Sequence, residues 1–256
     1  MKKKRKNNIR IATDIKAIYR RGIDLYLQQN NAAAALECLL KAAKAGYKAA
    51  FGEIGIILYR EQNKPTEAET WFKKAEKTDS LFAVAEHEYG MLHYLEKGDW
   101  KSGLGYLFQS AKHGCELAYG DIGIILYLEK GEINKAEKWF KKAENANCLF
   151  APAAYYYGEL LVLEKGEWNQ SLKYLRKAAK EGYELAFGQL GSVLYLEKGE
   201  IDEAEECFEK AEKAETLIAP YAYEYGMLLI EERGDTERGN FYLDKAAQDG
   251  YPPEPG

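Results

Sequence analysis

Residues 114–144 and 182–212 of this chain, displaced by 68 positions, are identical at 20 of 31 places. The same displacement links Gly46, Gly114, Gly182 and Gly250. A shorter period lies inside it: Gly22, Gly55, Gly90, Gly123, Gly158, Gly191 and Gly226 follow one another at alternating steps of 33 and 35. A period in this range marks a supersecondary unit that cannot bury its apolar face alone and is covered by copies of itself. The 256 residues therefore divide into seven units of about 34 residues: 11–46, 47–79, 80–114, 115–147, 148–182, 183–215 and 216–249.

Each unit reads as two helices. Leu117 to Tyr127 is almost continuously apolar, as expected of a helix covered on most sides. Lys130-Gly131-Glu132 follows, and a glycine just past a helix takes the left-handed conformation that ends it. The equivalent positions are Asn30, Asn63, Gly98, Gly131, Gly166, Gly199 and Gly234. Asparagine is the next residue to tolerate that backbone, so both exceptions keep the rule. Ile133, Ala136, Trp139, Phe140 and Ala143 then form one apolar stripe on a second helix. Ala151-Pro152 and Ala219-Pro220 suit helix starts, where proline is accepted. The proline-rich segment 250–256 blocks an eighth unit. Gly52, Gly120 and Gly188 alternate along the array with Tyr19, His87, Tyr155 and Tyr223, which predicts small residues facing large ones between neighbouring layers. The pattern predicts an all-α fold, a right-handed α–α superhelix or solenoid.

Composition narrows the function. With 46% hydrophobic and 30% charged residues the chain suits a folded soluble protein. No apolar run approaches the ~20 residues needed to span a bilayer, which argues against a membrane partner. Lys2 to Lys6 and Arg10 make residues 1–10 a basic tail, expected to be disordered. The charged stretch Asn7 to Arg21 lacks the apolar core of a secretion signal, so the expected location is cytoplasmic. In a eukaryotic source Lys2 to Lys6 also suit a nuclear address, though a solvated tail explains them more simply. Residues 1–10 carry six positive charges and no acid, so a total of −5 leaves −11 on the rest. That body repels phosphate backbones and disfavours nucleic acid as a ligand.

Tyr195, Gly199, Glu200, Ala204, Phe208 and Ala211, and likewise Tyr127, Gly131, Glu132, Ala136, Phe140 and Ala143, resemble the tetratricopeptide repeat pattern. The Lys-Ala-Ala-x-x-Gly run ending at Gly182 is similar to the end of a Sel1-like repeat. The resemblance covers roughly residues 11–250 and concerns the scaffold rather than any chemistry. Two features depart from it. The small residue early in the first helix, Gly191 and its equivalents, sits one place early. Gly103, Ser171 and Gly239 replace second-helix alanines. Both leave the register uncertain by one residue.

The repeat is its own control for chemistry-bearing side chains. Cys38 aligns with Tyr106, Tyr174 and Tyr242; Cys115 with Tyr47 and Tyr183; Cys207 with Trp71 and Trp139; Cys148 with Ser80 and Thr216. These read as packing thiols, with neither metal spacing nor the disulfides of secreted Sel1-like proteins. His87 aligns with Tyr19, Tyr155 and Tyr223, and His93 with Leu25, Leu161 and Leu229. His113 aligns with Ala45, Glu181 and Asp249. Met91 stands where a zinc protease beginning at His87-Glu88 needs its second histidine. The sequence holds no phosphate loop or nucleophile elbow. No cofactor, metal or catalytic residue is expected.

In the tetratricopeptide family the first helices line a concave groove that binds partners. Anchoring the register at the Gly-Glu turn puts two rows on that side. One is Arg20, Glu53, Glu88, Asp121, Tyr156, Gln189 and Glu224; the other is Gln28, Glu61, Glu96, Glu129, Glu164, Glu197 and Glu232. A slip of one residue lines the groove instead with Tyr26, Tyr59, Tyr94, Tyr127 and Tyr195, which the family pattern otherwise assigns to packing. The carboxylates suit either an ordinary solvated face or an acidic groove. The resulting expectation is a non-enzymatic scaffold that binds a basic or amphipathic segment of a partner protein. On this reading Glu88→Lys with Asp121→Lys abolishes binding without unfolding, and Lys2 to Lys6 fold back and compete for the groove. The alternative is a bacterial immunity or regulatory protein that neutralises a toxin.

Overall fold

The computed structural model describes residues 2–251, with side chains from residue 14 onward. Among them are fourteen helices and no strand. They pair as seven hairpins: α1 (Lys2–Leu27) with α2 (Ala32–Lys44), α3 (Ala50–Arg60) with α4 (Pro65–Lys77), α5 (Ala83–Lys97) with α6 (Trp100–Lys112), α7 (Ala118–Leu128) with α8 (Ile133–Asn145), α9 (Ala151–Leu163) with α10 (Trp168–Lys180), α11 (Leu185–Val193) with α12 (Ile201–Lys213), and α13 (Ala219–Glu231) with α14 (Thr236–Gln248). A π-helical turn, Leu194–Lys198, prolongs α11. The chain divides into two compact units, residues 1–118 and 119–256.

Helical backbone begins at Lys2, inside the stretch expected to be a disordered tail. Residues 2–10 contain neither proline nor glycine and are rich in lysine and arginine, which are good helix formers. Their side chains, and so the expected competition of Lys2 to Lys6 for the acidic face, lie outside the described residues. At the other end Gly250 turns left-handed (φ 80°) and the Tyr251 amide donates to the Ala246 carbonyl at 2.9 Å. Prolines 252, 253 and 255 lie outside the described residues.

One contact recurs in every hairpin. The glycine of the first helix receives a Leu or Phe seventeen residues later on the second: Gly22 and Leu39, Gly55 and Phe72, Gly90 and Leu107, Gly123 and Phe140, Gly158 and Leu175, Gly191 and Phe208, Gly226 and Leu243. A Cβ on Gly55 would stand 2.5 Å from the Phe72 ring, and one on Gly123 2.6 Å from Phe140. Phe72, Phe140 and Phe208 are fully buried and have no room to retreat.

Contacts between neighbouring hairpins recur every 68 residues. Phe72 stacks on Tyr89 at 5.2 Å, Phe140 on Tyr157 at 5.3 Å and Phe208 on Tyr225 at 5.4 Å. Those tyrosines meet Tyr106, Tyr174 and Tyr242 on the next second helix at 4.5, 4.3 and 4.6 Å. The three outer hydroxyls donate back to Glu76 (2.8 Å), Glu144 (2.8 Å) and Glu212 (2.5 Å). Ion pairs repeat likewise: Lys97–Glu69 at 2.5 Å, Lys165–Glu137 at 2.6 Å and Arg233–Glu205 at 2.7 Å. Much of the chain's tyrosine is thus accounted for as repeat-to-repeat packing. The small-to-large interlock differs from the expected one. A Cβ on Gly52 would meet Phe82, on Gly120 Phe150 and on Gly188 Tyr221, all from the following hairpin's entry, rather than the row containing Tyr19 and Tyr155.

All seven intra-hairpin turn residues lie left-handed, with φ from 48° at Asn30 to 68° at Gly234. So do the residues joining hairpins, Gly46, Asp79, Gly114, Asn147, Gly182 and Glu215, and Gly250 after the last. Glu215 (φ 58°) carries a Cβ in a region that costs an L-residue about 1–2 kcal/mol. Glu215→Gly is therefore expected to raise stability by about 1 kcal/mol in chemical denaturation. A Gly substitution at exposed Glu206, inside α12, should lower it by a similar amount.

Candidate partner-binding face

The first helices of each unit carry the candidate residues. In the first unit Arg20 is exposed and borders an open depression of about 440 Å³ on α1 with Lys16, Arg21 and Asp24. Glu53 is half-buried and accepts a hydrogen bond from the Tyr19 hydroxyl at 3.4 Å. Burial pushes its carboxyl up to about 6, against the lowering effect of that bond. Glu88 is only 4% exposed. Arg60, from the preceding first helix, ion-pairs with it, and His87 Nδ1 lies 2.8 Å from the same oxygen. Burial opposes ionisation of Glu88, but the His87 and Arg60 hydrogen bonds outweigh it and hold the carboxyl below the ordinary range. Glu88→Lys would bury a second cation against Arg60, so it is expected to disrupt the fold rather than report on binding alone.

In the second unit Asp121 is 8% and Gln189 3% exposed, while Tyr156 and Glu224 are half-buried. The first row is thus largely covered by neighbouring helices instead of forming a solvated stripe. The second row is different: Gln28, Glu61, Glu96, Glu129, Glu164, Glu197 and Glu232 are all exposed at the C-terminal ends of the first helices. Glu61 accepts from the Tyr26 hydroxyl at 3.0 Å. Tyr26, Tyr59, Tyr94, Tyr127 and Tyr195 are half-buried within two residues of those carboxylates. Tyrosine and carboxylate therefore stand side by side at the ends of the first helices, and neither excludes the other.

Two features escape a reading of the sequence by residue type alone. Between Tyr26, Tyr94, Tyr127 or Tyr195 and the following carboxamide or glutamate stands a leucine exposed to solvent: Leu27 (73%), Leu95 (62%), Leu128 (46%) and Leu196 (59%), with Leu163 (65%) following Val162; after Tyr59 the position is Arg60. The second is a polar group on α9, α11 and α13. Glu159, Ser192 and Tyr221 occupy repeat positions held elsewhere by Ile23, Ile56, Met91, Ile124 and Met227, or, for Tyr221, by alanine in all six other repeats. The Tyr155 hydroxyl donates to Glu159 at 3.2 Å, and burial pushes the Glu159 carboxyl up. Burial likewise raises Glu224, opposed by a hydrogen bond to Ser192. Aligning the repeats column by column would have exposed all three residues.

Tetratricopeptide repeat models match residues 21–80 and 186–215, one segment in each unit. Over those two segments the chain is similar to tetratricopeptide repeats. Solved repeat structures share its fold. The protective antigen c5321 of uropathogenic Escherichia coli, with an SLR fold, aligns over 92% of this chain at a TM-score of 0.67 and 20% identity. This chain spans 54% of that protein's length. A Sel1 repeat protein from Oxalobacter formigenes aligns over 90% of this chain and 99% of its own, at 0.60 and 21%. YrrB, a tetratricopeptide protein with an unusual peptide-binding site, aligns over 69% and 91%, at 0.56 and 22%. No curated protein matches the chain.

Burial pushes the Cys207 thiol up to about 11, which makes it a poor nucleophile. His93 packs between Tyr89 (4.8 Å) and Tyr106 (5.4 Å), and His113 Nδ1 lies 2.8 Å from Glu86. Among the described residues no group of three or more His, Cys, Asp or Glu could hold a metal ion, and no helix is long and apolar enough to cross a membrane.

The Glu53 carboxyl has a folded-state pKa above its unfolded value, so its ionised form costs stability. That cost is absent below the unfolded pKa, grows as pH rises through about 6, and is constant beyond. Glu53→Gln is expected to stabilise the protein by about 1–2 kcal/mol at about pH 8 and by nothing at about pH 4, in denaturation curves compared with wild type.

Proposed function

We propose that this protein is a non-enzymatic interaction scaffold that binds a basic, amphipathic segment of a partner protein along its first-helix ends. The observation that carries this reading is the recurrence, within each unit, of an exposed leucine followed by an exposed carboxylate or carboxamide. Leu27 and Leu95 supply it in the first unit, and Leu128, Leu163 and Leu196 in the second.

Both halves of the pair are locally unfavourable. An exposed leucine gains nothing from folding, and repeated apolar exposure marks an interaction surface. A carboxylate at a helix C-terminus faces the negative end of the dipole, at a cost of about 0.3–1 kcal/mol. Glu61, Glu164 and Glu232 occupy the C-cap itself. A basic segment with an apolar stripe would satisfy both: leucines against its stripe, carboxylates against its lysines or arginines. The fold shared with YrrB, a repeat protein with a peptide-binding site, supports a peptide ligand. The reading keeps the chain in the cytoplasm, where thiols such as Cys38, Cys115 and Cys207 stay reduced.

Selection of peptides from a displayed random library tests it. The selected sequences are expected to combine Lys or Arg with Leu, Ile or Phe, and their affinity to fall as ionic strength rises from about 0.05 to 0.5 M. Leu128→Ser, Leu163→Ser and Leu196→Ser together should cost little stability, since all three are exposed, yet weaken binding roughly tenfold or more. Acidic peptides, or undiminished binding by the triple variant, would contradict the proposal.

A further inference from the structure

Arg60 stands where five of the other repeats have leucine and the last has Glu231. It reaches forward to the buried carboxylate of the next first helix, Glu88, and keeps it ionised. The first unit thus contains, within its own chain, a worked example of how a cation satisfies a carboxylate covered by first helices.

The second unit has the half-buried carboxylates Glu159 and Glu224 and the buried Gln189 without the cation. Leu128, Leu163 and Leu196 occupy the Arg60 position there. Among the described residues no Lys or Arg pairs with Glu159 or Glu224. On α11 and α13 Oε1 of Gln189, a residue only 3% exposed, and Oε2 of Glu224 are buried with no hydrogen-bond partner among the described residues. An orphaned buried acceptor is destabilising, more so if charged, and calls for a donor. Gln189 stands in the repeat to Tyr155 as Glu53 stands to Tyr19, the pair joined by a hydrogen bond in the first unit, so the pattern aims it at the group containing Tyr155 and Glu159. Tyr221 completes the surround. Its ring fills the space left by Gly188, and its hydroxyl lies in the field of both Glu159 and Glu224.

We propose that Glu159, Gln189 and Glu224, walled by Tyr155 and Tyr221, form a receptor for one alkylammonium or guanidinium group. Two carboxylates and a carbonyl oxygen offer acceptors only, the complement of a group that only donates. Tyrosine faces suit the cation's flanks and its aliphatic stem. A lysine or arginine of a bound peptide and a free amine such as spermidine present the same chemistry. The peptide source rests on the function proposed above; the receptor itself does not.

Titration of the full chain with Nα-acetyl-lysine amide, Nα-acetyl-arginine amide, spermidine and the neutral Nα-acetyl-norleucine amide, followed by amide chemical shifts, tests the proposal. At least one cationic probe is expected to shift resonances of α9, α11 and α13, and the norleucine probe to leave them unmoved. Glu159→Ile restores the residue type of three other repeats. It should fold with an unchanged or higher unfolding midpoint and bind the cation roughly tenfold more weakly or worse. Glu224→Gln, nearly isosteric, should also weaken binding. Tighter binding of spermidine than of an arginine peptide assigns the receptor to free amines, and the reverse assigns it to a partner's side chain. Equal binding of norleucine, undiminished binding by both variants, or no cation-dependent shift at the solubility limit overturns the proposal. Selected peptides that need Leu128, Leu163 and Leu196 but ignore Glu159→Ile would sink the receptor and leave the scaffold standing. Peptides indifferent to the leucines would do the opposite if the cation probes still bind.

Discussion

The structure depends on seven close contacts between a glycine of one helix and a leucine or phenylalanine of the next. Gly55 with Phe72 and Gly123 with Phe140 represent the set. Removing the Cβ lets the second helix lay its side chain against the backbone of the first, which fixes their separation. A glycine inside a helix costs about 1 kcal/mol against alanine. Burying a whole Leu or Phe offsets that by about 1.5–3 kcal/mol. Once the hairpins are set, the alternation of Phe with Leu produces the 68-residue period. Phenylalanine hairpins stack on the tyrosines of their neighbours, and those tyrosines carry the hydroxyl bridges to Glu76, Glu144 and Glu212.

This arrangement spends the second helices and the backs of the first on packing. It leaves the first-helix ends to the solvent, and there the sequence departs from what stability alone favours. Glutamates sit at the wrong end of a helix dipole, leucines stand in water, and Glu53, Glu159 and Glu224 are covered carboxyls raised by burial. Glu88 is the contrast: with Arg60 and His87 beside it, the same burial is compensated. Local costs gathered at these positions are what the proposed partner surface would offset.

The fold was legible because its determinants are local and repeated. A left-handed turn admits few residues, and the Gly or Asn at each intra-hairpin turn marked all seven. The joints between hairpins were less plain, since Asp79, Asn147 and Glu215 hold the same backbone without glycine. The candidate face was legible only in part. Glu53 and Glu88 look like a surface row in sequence, but Tyr19 and Arg60 reach them from the preceding first helix, and that depends on layer spacing, which periodicity does not specify. The exposed leucines were hidden for the opposite reason: at the end of an apolar helix a leucine reads as core. Glu159 and Tyr221 left a clear signal, but only down a column of the repeat, where five apolar residues beside Glu159 and six alanines beside Tyr221 make them stand out.

A crystal structure of the chain with its tightest selected peptide would test the account most directly. The account predicts a peptide backbone running past Leu128, Leu163 and Leu196, with one lysine or arginine nitrogen about 3 Å from Glu159 or Glu224. A peptide lodged on the second helices, with those leucines bare and those carboxylates untouched, would contradict it.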